Sequence, residues 1–263
     1  MSRHRCHLAW KIGVAIAASV CVFAATLTGS IRSDAADGDS KPKDQSRQRP
    51  VPLELFRVWN FDKQAEGDKP AGFTAYTLGE GASAIWLVER DPEAPSMPNI
   101  VRQTAPCAAD SCLHVLAADD LVYEYPDVSV RLRLAASPGG SGQAGLAFAV
   151  RNPTNFYAAT VDASGKAVEV RQIIDGDNKV VGKAPIVIKN LPWHALRVRR
   201  NTIISKEYIE VFFDGVHVLS IEEKTISPGQ IGLLTGGSAM VAFDNLNAAP
   251  LYSQKPLSPP AAY

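Results

Sequence analysis

Short runs in which apolar and polar residues alternate, each soon ended by Gly, Pro, Asn or Asp, constrain this chain more than any other feature. In "VSVRLRL" (128–134), Val128, Val130, Leu132 and Leu134 point one way, and Ser129, Arg131 and Arg133 the other. That period of two is the signature of a strand with one buried face. "SPGGSGQ" turns into "AGLAFAVR", "NPTN" into "FYAATVD", and "ASGK" into "AVEVRQII". "WHALRVRR" (193–200) alternates as well and predicts a strand with one solvated face. No long helical period interrupts the stretch from Leu53 to Leu251. About ten strands at this spacing predict an all-β fold, a sandwich or a barrel.

The clearest hairpin is "EVFFDGVHV" (210–218). An Asp-Gly loop suits the type I′ turn, which needs positive φ at both central residues. A regular hairpin pairs Phe213 with Val216, Phe212 with His217, Glu210 with Leu219 and Tyr208 with Ile221. One face then carries Ile209, Val211, Phe213, Val216 and Val218 as core. The other carries Tyr208, Glu210, Phe212, His217 and Leu219 and is mixed. On this reading Asp214 is purely a turn residue.

The ends differ from the middle. Residues 1–36 run from basic "MSRHRCHLAWK" through the apolar stretch Ile12 to Gly29 to small residues at Ala35 and Ala36. That order is expected of a secretory signal peptide, with an uncleaved N-terminal anchor as the alternative. Residues 37–52 read as a polar, flexible linker, and 252–263 as a disordered Pro-rich tail. The protein is therefore expected to be exported to the periplasm or beyond, and to meet a membrane only if the first segment stays uncleaved. Its 27 basic and 27 acidic residues balance. Losing 1–36 would remove four basic residues and one acid, leaving a slight acidic excess, whereas nucleic-acid binding calls for a basic footprint. Of four cysteines, Cys107 and Cys112 survive that cleavage, in "CAADSCLH". In an oxidising compartment they are expected to form a disulfide; a Cys/Cys/His metal site with His114 is the rival.

Several stretches in order, "YPDVSVRLRL", "GQAGLAFAVRNPTNFYAATVD", "PWHALRVRR", "IEVFFDGVHVLS" and "PGQIGLLTGGSAMVAFDNLNA", resemble the concanavalin A-like lectin/glucanase superfamily. The nearest likeness is to bacterial exported domains of the 3-keto-disaccharide hydrolase or laminin-G-like type. With "WNFDKQAEGDKPAGFTA" and "IWLVERDPEAPSMPNIVRQ", it covers most of 53–251. The resemblance implies a two-sheet antiparallel jelly-roll sandwich, with Gly229 and Gly232 serving turn and close packing and Phe243 in the core. Glucanases of the superfamily share a Glu-x-Asp-x-x-Glu strand that sets two carboxyls the short distance apart needed for retaining hydrolysis. No such run occurs here, and no other catalytic motif replaces it. The resemblance thus implies a non-catalytic module binding carbohydrate or another envelope component, with a glycoside-active, 3-keto-disaccharide hydrolase-like enzyme as the alternative. Candidate ligand contacts are Arg151, Asn155 and Tyr157 around one turn, and Tyr208, Glu210 and His217 on the mixed hairpin face. Related jelly rolls hold a structural calcium ion, for which Asp62 and Asp244 are the matching carboxylates.

Overall fold

The structure, a computed structural model, describes residues 53–251 apart from 106, 108–110, 120, 135–141, 163 and 165. The expected signal or anchor, linker and tail lie outside the described residues. Among the described residues, no helix is long and apolar enough to cross a membrane.

A single 3-10 turn (Leu53–Leu55) precedes the strands. β1 (Arg57–Trp59), β2 (Phe73–Leu78), β3 (Trp86–Arg90), β4 (Asn99–Gln103) and β5 (Leu113–Ala118) come first. β6 (Pro126–Leu134), β7 (Gln143–Asn152), β8 (Asn155–Asp162), β9 (Ala167–Ile174) and β10 (Asp177–Pro185) follow. β11 (His194–Ile203), β12 (Lys206–Phe213), β13 (Val216–Glu222), β14 (Gln230–Gly236) and β15 (Val241–Pro250) complete the fold. The excess over about ten strands comes mainly from the short segments before β6, where alternation is too brief to register as a period.

Two antiparallel sheets result. The first has the order β13-β12-β11-β6-β15-β4-β3, with β1 also on β15. The second runs β10-β9-β8-β7-β14-β5-β2. Between them lies the main core: Val128, Val130, Leu132, Leu196, Val198, Ile209, Val211 and Phe243 from the first sheet meet Leu146, Phe148, Ala159, Val161, Val168, Val170 and Leu233 from the second. Each such side chain contributes about 1.5–3 kcal/mol on leaving water. The edges β10 and β13 close one side. A methyl group placed on Gly182 would stand 2.8 Å from Ile221 and 3.1 Å from Leu219.

The outer face of the second sheet is not solvated. Leu113, Val115, Ala117, Ala147, Val150, Phe156, Ala158, Ile173 and Leu234 form a second buried cluster there, with Tyr76 and Leu78 packed against it. β2 and β10 are opposite edges of this sheet, yet a methyl group on Gly176, in the turn before β10, would lie 3.7 Å from Leu78. The sheet is therefore curled until distant corners meet, and its hollow is filled by its own side chains. Alanines at 117, 147 and 158 permit so tight a curl.

The 210–218 hairpin departs from its regular register. Asp214 (φ 48) and Gly215 (φ 80) have the positive φ of a type I′ turn. Phe213 pairs with Val216 and Phe212 with His217, but a bulge then shifts the ladder. Val211 pairs with Leu219, Glu210 with Ser220 and Tyr208 with Glu222. Leu219 and Ile221 consequently turn to the core, whereas Val216 is exposed. An extra residue in one strand moves everything beyond it to the other face.

Cys107 and Cys112 form a disulfide, Cα–Cα 5.6 Å. Closing so short a loop contributes about 2 kcal/mol by chain entropy. Backbone bonds from Cys107 N to Gly237 O and from Gly237 N to Cys112 O tie it to the end of β14. His114 has its ligand atoms within 4.8 Å of both sulfurs, but the sulfurs are bonded to each other. Both ring nitrogens are also occupied, Nδ1 at 2.8 Å from Gln103 Nε2 and Nε2 at 3.1 Å from Ala82 O. Burial lowers the pKa of this imidazole, which favours the neutral ring.

Candidate functional site

With one face of each sheet in the main core and the hollow of the second filled, the outer face of the first sheet remains. The register sets one row of side chains straight across it. Val58 pairs with Asn247, Asn247 with Ser129, Ser129 with Arg197, Arg197 with Phe212, and Phe212 with His217. Directly paired residues share a face, so the row crosses β1, β15, β6, β11, β12 and β13. Two clefts follow it. One of about 600 Å³ is lined by Ser129, Arg131, Ala195, Arg197, Phe212, Asn245 and Asn247 among others. Another, of about 390 Å³, shares Ser129, Arg197 and Asn247 and continues to Phe56, Arg57 and Val58. Together they form one groove.

Its parts are held differently. Arg197 is gripped by Asp127, with Nε 2.7 Å from Oδ1 and Nη2 on Oδ2, and that carboxylate pushes the Arg197 pKa further up. The Arg197 and Arg199 guanidiniums lie 5.8 and 5.9 Å from the centre of the Phe212 ring, within cation–π range. His217 adds a tilted ring contact at 5.1 Å. In β15 a bulge at Asn245 (φ 49) lets both Asn245 and Asn247 line the groove. Planar groups flanked by amides and guanidinium donors suit a ligand with apolar faces and many hydroxyls.

The six sequence candidates do not form one site. Tyr208, Glu210 and His217 lie on the groove's sheet face, and His217 ends the row. Arg151 and Asn155 lie on the other sheet. Arg151 donates to the carbonyls of Ser227 and Pro228, and Asn155 braces a turn by donating to Asn152 and accepting from Asp175 N. Tyr157 must be corrected as a ligand contact, because it is fully buried in the core. Its hydroxyl donates to Glu223 at 2.8 Å and accepts from Ile226 N at 3.3 Å. Desolvation raises its pKa. The sequence reading missed Arg131, Arg197, Asn245 and Asn247. The outward positions of "VSVRLRL" and "LRVRR" pointed to the two arginines; nothing in the pattern marked the bulge that presents the asparagines.

Asp214 is more than a turn residue. Its Oδ1 accepts from Ala195 N at 2.8 Å, and its Oδ2 lies 2.8 Å from His194 Nδ1. His194 is buried and stacks on Phe213 at 5.3 Å. Asp214→Asn is therefore expected to cost about 1–3 kcal/mol, since one oxygen cannot serve both donors and a buried group loses its partner. A denaturation midpoint equal to the parent's would restore the turn-only reading.

Asp62 and Asp244 are brought together by Ser96, whose Oγ donates to Asp62 and whose N donates to Asp244 at 2.6 Å. Asn99 N donates to Asp62 at 3.2 Å, and Asn99 Oδ1 is buried without a partner. Burial pushes the Asp244 pKa up to about 6, with Asp62 and Asp91 adding repulsion and the Ser96 and Asn245 amides opposing it. Two carboxylates and an orphaned amide oxygen make a hard-oxygen donor set.

No protein-family model matches the chain, and no curated protein matches it in sequence. Solved structures do match. A carbohydrate-binding module, CBM66 from Bacillus subtilis, superposes with a TM-score of 0.52 at 16% identity, covering 68% of this chain and 95% of that one. The Emp47p carbohydrate recognition domain superposes at 0.50 and 9% identity, covering 77% and 100%. The fold is a jelly-roll sandwich of the concanavalin A-like kind.

Proposed function

We propose that this protein is an exported, non-catalytic carbohydrate-binding module and that the groove across the first sheet is its ligand site. The row from Val58 to His217 carries the reading: it is open, polar, braced by an aromatic ring and built on rigid strands. The two matched proteins named for carbohydrate binding share the architecture, and the disulfide accords with an oxidising compartment. The groove's carboxylates do not suggest hydrolysis. Asp127 is engaged by Arg197, and Glu210 stands across the ladder from Arg199. A cell-envelope glycan is the expected partner.

Phe212→Ala and His217→Ala test the site. Glycan-array affinity is expected to fall at least tenfold in Phe212→Ala, a hot-spot-sized loss, and less in His217→Ala. The melting temperature of His217→Ala should barely change, because its side chain is exposed. Unchanged binding in both variants would remove the groove as the site.

We further propose that Asp62, Asp244 and Asn99 hold a calcium ion that braces the loop between β3 and β4. Calcium is a hard cation that takes oxygen ligands. Folding raises the Asp244 pKa from 3.8 to about 6. In chelator-treated protein the resulting stabilisation is full below about pH 4 and lost as pH rises through about 6. Added calcium should raise the melting temperature at neutral pH, and Asp244→Asn should abolish both effects. No calcium response in the parent protein at neutral pH would sink this assignment.

A further inference from the structure

The arginines of the described residues divide into two groups. Arg90, Arg102, Arg133, Arg171, Arg197 and Arg200 each pair with a carboxylate, and Arg151 donates to two carbonyls. Arg57, Arg131 and Arg199 have no acidic or hydrogen-bonded partner among the described residues. All three border the groove. Arg57 lines its Val58 end and Arg131 its wall. Arg199 touches Phe212 but leaves a buried Nε unpartnered.

Their placement is ordered. Arg131 lies two residues beyond Ser129 on β6, while Arg199 lies two residues beyond Arg197 on β11. Because β6 and β11 are antiparallel, with Ser129 opposite Arg197, the two arginines flank the row on opposite sides. Each is displaced by roughly 7 Å at the rise of an extended strand. The acids nearby leave Arg131 uncompensated. Asp127 is taken by Arg197, and Glu210 lies beside Arg199. Asp244, across the ladder from Arg131, is buried and accepts from Ser96 N and Asn245 N.

Resting on the reading of the groove as a glycan site, we propose that its ligand is a carboxylated polysaccharide, with a uronate carboxylate received by Arg131. A guanidinium offers a planar fork of donors that matches a carboxylate with two parallel hydrogen bonds. Neutral sugar hydroxyls would leave the same charge uncompensated. Arg57 supplies a further cationic position at the Val58 end, so a chain with repeated acids meets more than one guanidinium. The asparagines and Ser129 between them address hydroxyls.

The test pairs each of three acidic probes, polygalacturonate, alginate and hyaluronan, with its carboxyl-reduced neutral form, in affinity electrophoresis of the purified protein. At least one acidic probe should bind tenfold or more tightly than its reduced form, and should weaken as salt rises. Arg131→Ala should lose at least tenfold on that probe with an unchanged melting temperature, because Arg131 is exposed. Equal affinity for acidic and reduced forms, or full affinity in Arg131→Ala, would overturn the anionic assignment and leave the module reading standing. Binding to no glycan, acidic or neutral, on probes and array together would overturn the module reading and this inference with it.

Discussion

Arg200→Ala should lower stability by about 3–5 kcal/mol, the usual loss when a buried charged pair is broken from one side. Arg200 is fully buried. Its guanidinium donates to Glu207 and to the carbonyl of Ile226, and it lies 6.0 Å from the centre of the Tyr157 ring. Tyr157 in turn bonds Glu223 and Ile226, so one arginine of the first sheet and one tyrosine of the second hold the same connection between β13 and β14. Truncation leaves the Ile226 carbonyl without its donor and a cavity beside an aromatic ring. The informative control is Arg200→Met with Glu207→Gln. Removing both charges together should recover the part of the loss that comes from leaving Glu207 unpaired. Urea midpoints for the single and double variants measure this. A single variant within about 1 kcal/mol of the parent would show that the pair contributes little.

Gly229→Ala is expected to be comparably severe, at about 3 kcal/mol or more, above the common range for overpacking because only main chain stands in the way. A methyl group there would lie 2.2 Å from the Ala149 carbonyl carbon and 2.5 Å from Val150 N. Gly229 also exchanges both backbone bonds with Tyr123, at 2.9 and 3.1 Å, so it cannot withdraw. Gly215→Ala makes the contrast. Nothing lies within 4 Å of its would-be methyl group, and only the positive φ of 80 resists substitution, at about 1–2 kcal/mol. Parallel thermal denaturation should therefore rank Gly229→Ala far below Gly215→Ala. The reverse order would mean that the β7 main chain at Ala149 and Val150 yields more easily than the turn.

The sandwich was legible because half-buried strands print their faces on the chain, as Val128, Val130 and Leu132 do opposite Ser129 and Arg131. Two departures from that rule hid much of the rest. Arg200 sits at an inward position of "LRVRR", where a charged residue reads as solvated unless its partner, seven residues later in Glu207, is already known. The bulges at Val218 and Asn245 each insert a residue that period-two reading cannot detect, and past each one the faces invert. Leu219 thus seemed outward and is core. Tyr157 looked like a ligand contact because its neighbours Asn152 and Asn155 form a turn, yet alternation alone places it inward beside Ala159 and Val161. The jelly-roll order was carried by the resemblance, whereas the groove needed the register between strands that are distant in sequence: β1 with β15, β15 with β6, β6 with β11.

That register also gives the site a metric. Each step along the row is one interstrand spacing, about 4.8 Å, fixed by the backbone ladder rather than by side-chain choice. Six strands then make a scale of roughly 24 Å with marks at regular intervals. Loop insertions can lengthen what surrounds such a scale but cannot change its divisions. Evolution or engineering can retune this surface only by exchanging the residue at a mark, so variants should differ in which chemical groups they accept and preserve the interval at which they accept them.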